Sequence, residues 1–187
     1  MQPGGTIYVI TGDRGSGKST ACARVAREAS RRGLDVAGIL TERSSPERGA
    51  ARKVIDLRSG ESRPFGSQPS REGGPASDPL TPGWQFDSEV FAWANQVFSC
   101  STPCDLLVVD EVGPLELLGG RGWAEALGIL RSRDFGVALV VCRPGLLGEL
   151  EACLGRPPSR VFEVDSQTRD TLPAAITMEV LPRAAGA

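Results

Sequence analysis

The segment TIYVITGDRGSGKST, residues 6–20, sets the reading of the rest of the chain. Thr6–Thr11 is a β-branched, apolar run, the pattern of a strand buried on both faces. Gly12–Ser19 then fits G-x-x-x-x-G-K-[ST] in full, and a helical pattern continues through Thr20–Arg32, with Ala21, Val25 and Ala29 on one face. Strand, glycine loop and helix in that order form a phosphate cradle. Gly12, Gly15 and Gly17 let the backbone bend so that successive N–H groups face one anion, and the helix start adds its positive dipole end. The expected nucleotide-binding residues are Gly12, Asp13, Arg14, Gly15, Ser16, Gly17, Lys18, Ser19 and Thr20. Lys18 is read as the cation bridging the β- and γ-phosphates, and the Ser19 hydroxyl as a Mg²⁺ ligand.

Outward from the loop, strands and helices alternate. Asp35–Glu42 reads as a second strand, and Ala51–Leu57 with Glu61–Gly66 as a hairpin across Ser59-Gly60. Ser67–Gly83 is rich in Pro and Gly and is expected to be an irregular, mobile loop. Phe86–Phe98 has helical spacing, with Asp87 or Ser88 as its cap. Leu106–Val109 and Val137–Cys142 are all-apolar strands, and helices follow near Gly122–Arg131 and Leu146–Leu154. Arg160–Val164 is a late strand, and Ser166–Ile176 is expected to be the last helix. Apolar strands alternating with helices indicate a parallel sheet covered on both faces. The expectation is one three-layer α/β domain over residues 1–187, with a hairpin insertion.

The second chemical signal is Asp110-Glu111, which closes the strand Leu106–Val109 at the sheet edge where open α/β folds place ligand groups. Asp110 is the expected Mg²⁺ ligand. Glu111 is the expected base for the attacking water. Arg143 follows the strand Val137–Cys142 and is a candidate to stabilise developing charge; a surface arginine at a helix start is the alternative. Thr41, Glu42 and Arg169 sit where they would line the site, and Glu116 reads as a turn or helix-start carboxylate, with orienting Glu111 as the alternative. Trp84, beside the Pro/Gly loop, is singled out from the core tryptophans Trp93 and Trp123.

Composition narrows the chemistry further. The 187 residues contain no histidine, and only Lys18 and Lys53 among the 21 Lys and Arg residues are lysine. Imidazole bases and His-containing zinc sites are therefore excluded, which leaves water activation to a carboxylate. A formal net charge of −2 gives no field suited to nucleic acid or anionic lipid. No apolar run is long enough to span a bilayer, and the N-terminus has no signal-peptide pattern. The five cysteines form no metal-ligand spacing and read as reduced thiols, so a cytoplasmic protein is expected; monomer and weak oligomer stay open.

The loop ITGDRGSGKST, the strand end GILTE (38–42), VVDEVGPLEL (108–117) and TRDTLPAAI (168–176) together resemble the small nucleoside-triphosphatase family first known from thermophiles, which has a cancer-related relative in animals. The resemblance spans most of the chain. It implies a RecA-like P-loop sheet and slow, Mg²⁺-dependent hydrolysis of ATP, GTP and other nucleoside triphosphates to diphosphates. It also implies Gly12–Thr20 as the cradle, with Asp110 and Glu111 as the magnesium and water groups. A P-loop small-molecule kinase, with an acceptor under the 67–83 loop, and a nucleotide-dependent switch or adaptor are the competing readings.

Overall fold

In the computed structural model, which describes residues 4–44, 51–67 and 78–181, the apolar runs form a single sheet. In chain order the first half holds β1 (Thr6–Thr11), α1 (Lys18–Arg31), β2 (Val36–Arg43), β3 (Arg52–Asp56), β4 (Ser62–Ser67), β5 (Gln85–Phe86) and α2 (Ser88–Ser99). The second half holds β6 (Leu106–Val112), α3 (Pro114–Leu117), α4 (Ala124–Ser132), β7 (Val137–Cys142), α5 (Leu147–Leu154), β8 (Arg160–Glu163) and α6 (Leu172–Val180). The strand order is β5-β4-β3-β2-β6-β7-β1-β8. From β2 to β8 every neighbouring pair is parallel, whereas β3, β4 and β5 extend the sheet in antiparallel fashion beyond β2.

The central strands read as apolar runs because both of their faces are covered. Ile10, Leu106, Val108 and Leu139 pack with Val25 and Ala29 of α1 and Ile176 of α6 on one face. Val9, Leu107, Val109 and Val140 pack with Phe98 of α2, Leu130 of α4 and Leu150 of α5 on the other. Close strand packing demands a glycine at position 38. Its φ is +98°, and a Cβ there would sit 2.1 Å from the Val108 carbonyl oxygen. Among the described residues no helix is long and apolar enough to cross a membrane.

The hairpin β3–β4 forms as expected and is pinned to the parallel half by Arg58 in its turn. The Arg58 guanidinium pairs with the Asp35 carboxylate at 2.7 Å and donates to the carbonyl oxygens of Cys100, Ser101 and Pro103. Three expectations need correcting. Phe86 belongs to a short strand, β5, paired with Gly66, so α2 begins only at Ser88, with the Asp87 side chain accepting from the Glu89 N–H as its cap. A further turn of helix, α3, follows Gly113. The last helix starts at Leu172 rather than Ser166, because the Asp165 side chain accepts the N–H groups of Gln167 and Thr168 and holds that stretch in turns. Pro173 then takes a first-turn position, where its missing N–H leaves no helical bond unmade. Of the Pro/Gly loop, residues 68–77 lie outside the described residues; Asp78–Gly83 folds into turns.

Candidate active site

All parallel strands end at the same edge, so the loop after β1 and the end of β6 are brought together there. Gly12, Gly15 and Gly17 have φ of +135°, +82° and +113°, which L side chains rarely adopt. At Gly12 the backbone also runs so near β8 that a Cβ would lie 2.2 Å from the Val164 carbonyl oxygen. Helix α1 starts at Lys18 without a side-chain cap or an acidic residue in its first turn. Its leading N–H groups thus remain available to an anion. The buried Lys18 Nζ donates to the carbonyl oxygens of Gly12 and Asp13, 2.8 Å from each. Burial pulls its pKa below the ordinary value, against the opposing pull of Glu111. A phosphate arriving in this loop supplies the countercharge that these carbonyls only partly replace.

Ninety-one residues along the chain from Ser19, Asp110 meets it across the sheet edge. The Ser19 hydroxyl donates to Asp110 Oδ1 at 3.1 Å, and the Thr41 N–H at the end of β2 donates to Oδ2 at 3.0 Å. The Thr41 hydroxyl in turn donates to the Asp110 carbonyl oxygen. Burial of Asp110 pushes its carboxyl up to about 7; the Thr41 N–H bond works against that rise and the neighbouring Glu111 adds to it. A carboxylate so placed is short of positive charge. Among the described residues no three carboxylates or thiols gather into a self-sufficient metal cage. One hydroxyl and one carboxylate beside a phosphate cradle suit Mg²⁺, which keeps several waters and shares substrate phosphates. The residues present fit that ion.

Glu111 lies beside Asp110 and is held by Arg143, whose Nη2 and Nε donate to Glu111 Oε1 at 2.7 and 2.9 Å. Arg143 itself stands just before a 3-10 turn, Pro144–Leu146. The remaining sequence candidates separate clearly. Arg14 lies over the Trp84 ring, 5.6 Å from its centroid, and Thr20 is exposed on the cleft wall. Ser16 is part of the loop, with its Oγ buried and without a hydrogen-bond partner among the described residues. The Cβ of Arg169 is within 3.5 Å of the space over Gly17. Glu42 lines the phosphate cleft as expected and pairs there with Lys53, which ties β2 to β3. Glu116 accepts from the N–H groups of Gly113 and Trp123, so it builds the turn after β6 and is not bonded to Glu111. Trp93 and Trp123 are core residues.

Sequence reasoning missed Arg52. It is drawn into the cleft from β3, lies 5.0 Å from the Trp84 ring centroid, and feels the charges of Glu111 and Asp110. The available signal was the hairpin, since antiparallel pairing sets Arg52 opposite Arg43 and Val54 opposite Thr41. Two cavities with shared lining residues result. One, of about 540 Å³, follows the phosphate loop and α1 past Ser19, Thr20, Arg24 and Arg27. The other, of about 250 Å³, is walled by Phe65, Leu80, Trp84, Phe86 and Trp123. Arg14, Thr41, Arg52, Glu111 and Arg143 line both.

Comparison with known proteins places this architecture. The chain is 27% identical over 183 residues to nucleoside-triphosphatase THEP1 of Thermofilum pendens, covering 92% of this chain and 94% of that protein. It is 31% identical over 169 residues to nucleoside-triphosphatase THEP1 of Methanosarcina barkeri, covering 89% and 92%. In fold it is similar to the crystal structure of THEP1 from the hyperthermophile Aquifex aeolicus, with a TM-score of 0.68 at 18% identity over 95% of this chain and 100% of that one. It is equally similar to the solution structure of a human cancer-related nucleoside triphosphatase, with a TM-score of 0.70 at 20% identity over 97% and 100%. A family model described as NTPase matches residues 7–177, and with that span the chain belongs to the NTPase family.

Proposed function

We propose that this NTPase hydrolyses ATP, GTP and other nucleoside triphosphates to the diphosphate and phosphate at the cleft between the phosphate loop and β6, with Mg²⁺ held by Ser19 and Asp110. The observation that carries this reading is the Ser19–Asp110 contact at 3.1 Å, a hydroxyl and a buried carboxylate meeting at the mouth of a glycine loop. When bound, the ion supplies positive charge to the phosphate oxygens and to the leaving diphosphate. The chain does the rest. Backbone N–H groups of Gly12–Thr20 grip the phosphates, and Lys18 exchanges its carbonyl partners for β- and γ-phosphate oxygens. Glu111 receives the proton of the attacking water. Arg143 holds that carboxylate and shares charge with the γ-phosphate as it leaves the diphosphate.

Glu111→Gln separates binding from chemistry. Nucleotide affinity, measured by titration calorimetry, is expected to stay within about threefold while turnover falls by two or more orders of magnitude, the scale of a lost base. Unchanged turnover would remove Glu111 from the mechanism.

A further inference from the structure

The cavity of about 250 Å³ lies apart from the residues that grip the phosphates, and of Gly12–Thr20 only Arg14 lines it. It shares Glu111 and four other lining residues with the phosphate cleft, and its remaining walls are largely aromatic. Trp84 and Phe86 stack at 5.9 Å with their planes 9° apart. Phe65 lies 4.8 Å from Phe86 and 4.8 Å from Trp123, centroid to centroid. Phe65 and Trp123 are buried, whereas Trp84, Phe86 and the neighbouring Phe91 keep intermediate exposure. Thr81 Oγ1, at the same wall, is buried with no hydrogen-bond partner among the described residues. The carboxylates there are committed, Glu116 to two backbone N–H groups and Glu111 to Arg143. Nothing in the wall therefore calls for a cationic ligand.

We infer that this cavity is an acceptor site for a small, planar aromatic alcohol, which receives the γ-phosphoryl group in place of water. The inference rests on the proposed phosphate site and on Glu111 as its base. Size supports the class: a cavity of roughly 150 Å³ accommodates benzene, so this one takes a single substituted ring or a small bicycle but not a nucleotide. Ring faces at stacking distance favour a flat guest over an aliphatic one of equal volume. Glu111 lines both cavities and so lies between the guest's hydroxyl and the phosphate. The acceptor oxygen forms a bond to the γ-phosphorus as the bond from that phosphorus to the bridging oxygen breaks. The nucleoside diphosphate leaves with the electron pair, and the hydroxyl proton passes to Glu111. The products are a phosphomonoester and the diphosphate, with no change of oxidation state.

The test uses the full chain with γ-labelled ATP and Mg²⁺, adding benzyl alcohol, 3-pyridylmethanol or tryptophol, with n-hexanol as the aliphatic control. At least one aromatic alcohol is expected to divert label, saturably, from free phosphate into an acid-stable monoester, with n-hexanol diverting far less. Leu80→Trp, which fills the cavity from its rim, is expected to abolish monoester while phosphate release without acceptor stays within about twofold. Leu115→Trp, at another lining residue, serves as the second variant. If phosphate release persists and no aromatic alcohol yields monoester up to about 10 mM, the weak end of small-ligand affinity, the acceptor site is refuted on its own. Equal transfer to n-hexanol refutes the planar class. Absence of phosphate release without acceptor overturns the hydrolytic reading, and absence of monoester as well overturns this one with it.

Discussion

The parallel half of the sheet and its antiparallel extension meet along β2, and they contribute opposite things to one cleft. In the parallel half the inner strands β2, β6, β7 and β1 are covered on both faces, and Lys18, Ser19 and Asp110 converge at their ends. In the extension only Val54 and Phe65 are buried, and it presents an arginine and aromatic rings to the same opening. The difference teaches where rigidity is used. Groups that must hold a phosphate and an ion to a few tenths of an ångström stand on strands that cannot shift without opening the core. Groups that face a variable guest stand on strands with one wet side.

The sharpest way to break the comparison is to neutralise the parallel half's buried charge. Asp110→Asn keeps the shape, since the amide oxygen still accepts from the Thr41 N–H and the amide nitrogen can donate to the Ser19 hydroxyl. Turnover is expected to drop by about two orders of magnitude or more as the cation ligand is lost. Stability should move the other way. The Asp110 carboxyl, raised to about 7 in the fold from an ordinary 3.8, contributes stability that is complete below about pH 4 and is lost as pH rises through 7. Without ion or nucleotide, the wild-type melting temperature should therefore fall between pH 5 and pH 8, and Asp110→Asn should flatten that slope. A variant that melts lower than wild type at pH 8 would contradict the burial argument.

A smaller effect is expected across the divide. Arg52→Gln removes from the extension a guanidinium that faces Trp84 and the charges of Glu111 and Asp110. Turnover over KM should fall about tenfold, roughly the 1.4 kcal/mol of one charged contact, with most of the change in KM. Loss as large as that of Asp110→Asn would mean that the extension carries chemistry and not only placement. No change at all would mean that Arg52 serves only the Trp84 stack.

The same divide marks what the sequence could disclose. β1, β6 and β7 were legible because strands buried on both faces must be continuous apolar runs, and the phosphate loop because its backbone geometry tolerates few residues besides glycine. Asp110 and Glu111 followed, since a strand of that kind ends at the ligand edge. Arg52 was not legible as a site residue, because its place depends on which strand the hairpin pairs with, a long-range fact that alternation within β3 does not encode. The aromatic cavity is less legible still, built from Phe65, Trp84, Phe86, Phe91 and Trp123, which share no period. Phe86 fitted the helical spacing of α2 by coincidence, and pairing with Gly66 took it into the sheet.

The smallest predicted effect tests the far end of the parallel half, where a side chain, not a helix, organises the turn behind the phosphate loop. Asp165 accepts from the N–H groups of Gln167 and Thr168 and from the Thr168 hydroxyl. These bonds favour the ionised carboxylate and hold its pKa below the ordinary 3.8. A lowered acid of this kind stabilises the fold above its unfolded pKa, and that contribution disappears as pH falls through the lower, folded value. Asp165→Ala should therefore lower the melting temperature by only about 2 °C at pH 7, since the group is fully exposed and the lost bonds are local. The gap from wild type should shrink further below pH 4. Turnover should change little, because Gly12 is backed by the Val164 carbonyl of the backbone and Gly17 by the Cβ of Arg169, neither of which needs the Asp165 charge. If turnover instead falls with stability, the turn does more than close the fold. The phosphate loop would then draw its shape from β8 as well as from its own glycines.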